Sequence, residues 1–165
     1  MKNKILYIIL IATIIVISGY TIFSPQKSQM INELDLIIDN KCGEYSQGEV
    51  TLNNNFVKVL VSDIDCKREL GLSGVKALKD NEGMFFVFNS VGFYPFWMKE
   101  MLFPIDILWI GDDFKIVGIE KDVSPNTYPK SFGEKYLSRY VLEVSAPYSD
   151  KNNIKVGDKI TFTKK

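Results

Sequence analysis

GMFFVFNSVGFYPFWMKEMLFPIDILWIGDDFKIVGI, residues 83–119, carries three near-continuous apolar runs. They are broken at a few fixed points: Lys99, Glu100, Pro104, Asp106 and the acidic turn Gly111-Asp112-Asp113. The runs are short, aromatic and β-branched, and Gly or Pro bounds them, a composition that suits strands better than helices. Residues 84–88 read as one strand, and residues 96–98 as a second that faces it across the Gly92 and Pro95 turn. Residues 105–110 and 114–120 read as a hairpin, its link carrying turn chemistry.

Outward from this stretch the pattern continues. Residues 55–62 (NFVKVLVS) alternate and are β-branched, as a strand should be. Residues 63–72 predict a short helix that Asp63 or Asp65 would cap and Gly71 would end. Residues 122–132 form a Pro- and Ser-bearing loop. Residues 140–145 are a strand with Val141 and Glu143 on one face and Leu142 and Val144 on the other. A short helix over 146–153 and a last strand over 159–163 complete the body. The expected fold is α+β, mostly β: a small barrel-like antiparallel sheet domain over residues 55–165, with one or two short helices.

Before this body lies a different segment. Residues 5–23 (ILYIILIATIIVISGYTIF) are apolar and uncharged. At about 1.5 Å per residue they span roughly 28 Å, enough to cross a bilayer core of about 30 Å. Lys2 and Lys4 precede them, which places the N-terminus in the cytoplasm and the body outside. The expectation is an N-terminal membrane anchor over residues 1–23, with a single transmembrane helix covering residues 5–23, acting as signal-anchor of an extracytoplasmic body. A cleaved signal peptide is the competing account. Residues 24–54 read as a tether, opened by the helix-ending Pro25, with a short amphipathic stretch over 30–38 and a polar, turn-rich stretch over 39–48.

Composition narrows the chemistry. The formal net charge is zero, with 20 Lys and Arg against 20 Asp and Glu, so no basic footprint for nucleic acid is present. There is no histidine. That removes His-based triads, His general bases and most zinc and iron ligand sets, so no metal and no cofactor is expected. Cys42 and Cys66 are the only cysteines. Outside the cytoplasm an even count favours a disulfide, here pinning the tether to the body. Closing a loop of about 24 residues stabilises by roughly 3 kcal/mol in the chain-entropy account. Two unrelated thiols are the alternative.

Several blocks in order resemble one family, the domain of unknown function 192, also catalogued as uncharacterised protein family 0127. The first block appears as Arg68, Gly71, Leu72 and Gly74, with Ser73 where the family prefers Met. The second is Glu82-Gly83-Met84-Phe85-Phe86-Val87-Phe88. The third is Phe96-Trp97-Met98-Lys99, followed by Glu100 and Met101 where the family carries Asn-Thr. Pro104, Asp106, Pro125, Tyr128, the run Tyr140-Val141-Leu142-Glu143-Val144 and Gly157-Asp158 complete the match, from about Phe56 to Phe162. The resemblance implies a fold and an exported or anchored setting, and no reaction.

Five residues stand out as a candidate ligand site: Lys99, Asp106, Trp97, Arg68 and Glu143. A lysine after three large apolar residues is either a snorkelling stem or a cation facing an aromatic surface. Asp106 alone in an apolar strand needs a partner or a ligand, because an unpaired buried charge is costly. Lys99 and Asp106 are expected to share one polar patch beside Trp97, with Arg68 close by. Arg68 and Glu143 could instead form an ion pair that fixes the fold. The leading expectation is a module that binds a small anionic or saccharide-like ligand, or an envelope accessory domain. The alternative is a hydrolase using Asp106 and Glu143 as acid and base.

Overall fold

The computed structural model describes residues 42–165. The expected anchor, the stretch over 30–38 and the rest of the tether before residue 42 lie outside those residues. Among the described residues no helix is long and apolar enough to cross a membrane. Cys42 and Cys66 are joined by a disulfide, with their Cα atoms 5.7 Å apart.

β1 (Ser46–Leu52) and β2 (Asn55–Ser62) form an antiparallel hairpin in register from Ser46↔Val61 to Leu52↔Asn55. Its two linking residues, Asn53 and Asn54, have φ of 44° and 67°. Asparagine tolerates this left-handed conformation, and a two-residue turn built from it matches the twist of the flanking strands. The sequence placed Ser46–Leu52 at the end of the tether. Gly48 and the asparagines make the stretch look turn-rich, and only Val50 and Leu52 signal burial. Pairing with β2 on one side and β9 on the other overrides that weak local signal. Gly48 is required there: a Cβ would sit 2.6 Å from the Phe162 ring of β9.

Helix α1 (Asp65–Leu70) follows β2. Its N-cap is Ile64 with no side-chain cap, so neither Asp63 nor Asp65 caps it; Gly71, at φ 52°, ends it. The chain then returns to run β3 (Glu82–Phe93) parallel to β2. The purely antiparallel expectation fails at this pair, because the connection through α1 is long enough for a crossover. β3 also runs beyond Phe88 to Phe93, paired with β8. Only Tyr94 and Pro95 then separate it from β4 (Phe96–Trp97), which pairs with β7 (Ser131–Phe132) in a separate two-stranded ribbon rather than facing β3.

β5 (Ile105–Ile110) and β6 (Ile116–Val123) make the expected hairpin. β8 (Leu137–Ser145), helix α2 (Tyr148–Lys151) and β9 (Ile160–Lys164) finish the chain. The seven-stranded sheet has the order β6-β5-β8-β3-β2-β1-β9. Its two ends meet only at their first residues, at the bridge Lys115↔Lys159 and through backbone hydrogen bonds from Ile116 N–H to the Asp158 carbonyl, Gly157 N–H to the Ile116 carbonyl and Ile160 N–H to the Phe114 carbonyl, and their strands form no ladder. The expected barrel is therefore a strongly curled mixed sheet that does not close.

The pleat divides the sheet into two faces. Val50, Val59, Phe85, Leu108, Leu142, Val144 and Ile160 share one buried cluster, drawn from strands at both ends of the order, so the sheet curls around this side. Met84, Phe86, Ile107, Trp109, Val141 and Glu143 alternate with them and project to the other face. There Phe96 meets the edges of Phe86 and Trp109, with ring centroids 4.8 and 6.0 Å apart.

Candidate functional site

Glu143 is the anomaly of that second face. It sits in the middle of β8, opposite Met84 on β3 and Ile107 on β5, and is 4% exposed. Its Oε2 is buried with no hydrogen-bond partner among the described residues. Burial pushes its carboxyl up to about 8, so at neutral pH the group is mostly the neutral acid.

Glu143 lies against a cleft of about 380 Å³ between α1, β3 and the segment around β4. Phe86, Phe88, Phe96 and Met101 contribute apolar lining, and Arg68, Lys99, Ser73, Tyr94 and Trp97 contribute polar or aromatic groups. Phe86 and Phe88 share the parity that puts Glu143 on this face. That period-two spacing in Phe86-Val87-Phe88 was the sequence signal for them, masked by the continuous apolar run.

The two cations of the cleft differ. Arg68 donates to the Val87 carbonyl at 2.7 Å and to Asp65 Oδ1 at 2.6 Å, and its guanidinium stands 5.4 Å from the centre of the Phe88 ring. It is held as part of the wall, and no Arg68–Glu143 ion pair exists. Lys99 is exposed, and no carboxylate pairs with its ammonium among the described residues. Its backbone is fixed from the α1 side: the Ser73 hydroxyl donates to the Lys99 carbonyl at 3.0 Å, and the Gly74 N–H donates to the Glu100 carbonyl at 2.9 Å. Glu100 has φ of 57°, a conformation that favours asparagine. The Asn found there in the resembled family therefore suits the backbone, and Glu100 does not line the cleft. Trp97 is 53% exposed and meets Tyr128 edge-on at 6.4 Å on the rim.

Asp106 is elsewhere. It is opposite Val144, so the pleat directs it to the other face from Glu143. Its two oxygens accept from the Asp122 N–H at 2.9 Å and the Ser149 N–H at 2.6 Å. It pairs with neither Lys99 nor Arg68. The expected Lys99–Asp106 patch is thus replaced by a cleft that Lys99 and Glu143 line together with Arg68 and Trp97. The proposed Asp106–Glu143 catalytic pair is ruled out by the pleat. Among the described residues no group of three or more carboxylates and thiols is placed to hold a metal ion.

The sequence model of one family, DUF192, described as Uncharacterized ACR, matches residues 48–162. A crystal structure of a protein from Sinorhizobium meliloti 1021, provisionally described as a transcription regulator, is similar with a TM-score of 0.66 and 23% identity, covering 72% of this chain and 95% of that one. A protein of unknown function from Novosphingobium aromaticivorans DSM 12444 is similar with a TM-score of 0.64 and 25% identity, covering 70% and 83%. The first likeness is one of fold alone. No curated protein matches the chain.

Proposed function

This chain belongs to the DUF192 family, and from that premise we propose that it is a membrane-anchored extracytoplasmic module whose cleft binds a small ligand. One observation carries the binding part. A buried carboxyl whose Oε2 has no hydrogen-bond partner among the described residues lines an aromatic cleft that also holds a lysine paired with no described carboxylate. A buried polar group left unsatisfied costs about 1–3 kcal/mol, a cost that a bound ligand's polar group removes. Aromatic walls with a few convergent polar groups are the ordinary make-up of a small-molecule site. The anchor part rests on the apolar run over residues 5–23 and its flanking lysines.

A hydrolase using Asp106 and Glu143 as its acid and base has no support from the cleft, because Asp106 is committed to two backbone donors on the other face. The accessory-domain account remains the alternative in which the cleft stays empty. Untargeted mass spectrometry of small molecules retained by the purified protein separates the two. A compound enriched on the parent protein and depleted at least tenfold on Lys99→Ala is expected. Identical small-molecule profiles for parent and variant, with no compound in a metabolite library raising the melting temperature, would leave the accessory account standing.

A further inference from the structure

We infer that the cleft selects a monoanionic carboxylate with an apolar or ring-shaped body, and that Glu143 takes part as a neutral hydrogen-bond donor, so that binding is coupled to the proton on Glu143. The inference rests on the ligand-binding account above and gives it a ligand class and a regulator.

Charge decides the class. Two cations, Arg68 and Lys99, and two exposed acids, Asp65 and Glu69, line the cleft beside Glu143. Arg68 is already engaged by Asp65 at 2.6 Å. With Glu143 protonated the charges balance, and Lys99 is left as the cation open to a ligand. One free ammonium and one acid O–H match the two oxygens of a carboxylate. A phosphate dianion calls for several donors, commonly a bidentate arginine, and here Arg68 is spent on Asp65 and the Val87 carbonyl. Phe86, Phe88, Phe96 and Met101 supply the apolar wall for the rest of the molecule.

Position decides the protonation. The elements packed on Glu143 offer little charge to stabilise an anion. β3 faces it with Met84 and Phe86, and β5 with Ile107; Asp106 lies on the opposite face. The charged groups on the cleft are Asp65, Arg68 and Glu69 from α1 and Lys99 from the segment after β4; Tyr94 is its other titratable side chain. Burial alone raises Glu143 to about 8. The acid form donates to a bound carboxylate through a short, charge-assisted O–H···O⁻ bond. The ionised form would repel the same carboxylate. A bound anion holds the proton harder still, so the free protein's value sets where affinity starts to fall, by about tenfold per pH unit above it.

The test is titration of the full-length protein with benzoate, followed by calorimetry and by chemical shifts of the cleft residues, at pH 6.5 and 9.5. Inorganic phosphate, mostly monoanion at pH 6.5 and dianion at pH 9.5, and N-acetylglucosamine serve as the phosphate and neutral probes. Benzoate is expected to bind about 30-fold more weakly at pH 9.5. Glu143→Gln, which keeps a neutral donor and has no proton to lose in this range, should lose the pH dependence of benzoate binding. Benzoate affinity equal at both pH values, or a Glu143→Gln variant that weakens with pH as the parent does, overturns the proton coupling while the binding account survives. Phosphate or N-acetylglucosamine binding in preference to benzoate overturns the carboxylate class and still leaves a ligand site. Silence from all three probes overturns the inference, and the retained-metabolite experiment then judges the binding account separately.

Discussion

Asp106 on β5 and Glu143 on β8 are buried carboxylates on adjacent strands, and the pleat sends them to opposite faces. Asp106 receives two backbone N–H groups, one of them from Ser149 in the first turn of α2, a helix without a side-chain N-cap of its own. It acts as a cap supplied from a distant strand. Asp106→Ala should therefore cost about 2–4 kcal/mol in denaturant unfolding, because it strands one buried donor, the Ser149 N–H, and one part-buried donor, the Asp122 N–H. Benzoate binding by whatever fraction remains folded should be unaltered. A variant as stable as the parent would remove Asp106 from this role. Both residues were conspicuous in the sequence as charges inside apolar strands. Their different fates were not, since a one-residue difference in register between neighbouring strands exchanges the two faces.

At the scale of elements, the strands over 55–62, 105–110 and 140–145 were legible from alternation and β-branching, and the structure places strands over all three. β1 was not legible, because Gly48 and the asparagine turn hide a strand whose support comes from β2 and β9. The Cys42–Cys66 link lies just before β1 and ties the approach to that strand to α1. Cys42→Ser should lower the unfolding free energy by about 3 kcal/mol if loop closure sets the effect. The far-UV signal of the sheet should persist under native conditions, because β1 keeps its ladders to both neighbours. An unfolding midpoint unchanged between Cys42→Ser and the parent would show that the link contributes nothing to this region.

For the whole molecule, the proposed anchor predicts that the chain remains with membranes after alkaline carbonate washing and retains its intact N-terminus by mass spectrometry. A mature chain beginning near Tyr20 or Ser24 would replace the anchor with a cleaved signal. By itself the sequence determined the mostly-β class and the family, and it singled out Lys99, Trp97, Arg68 and Glu143, which line one cleft. These are local properties: alternation, turn chemistry and ordered motif blocks survive in one dimension. Only the tertiary structure decided that β2 and β3 run parallel, that the sheet curls without closing, that Asp106 leaves the site and that Arg68 is spent on Asp65 rather than on Glu143. Each of these depends on which strands become neighbours and in what register. Those pairings join residues far apart in the chain, and the gain comes from burying apolar side chains on both faces of one sheet, which no local pattern records.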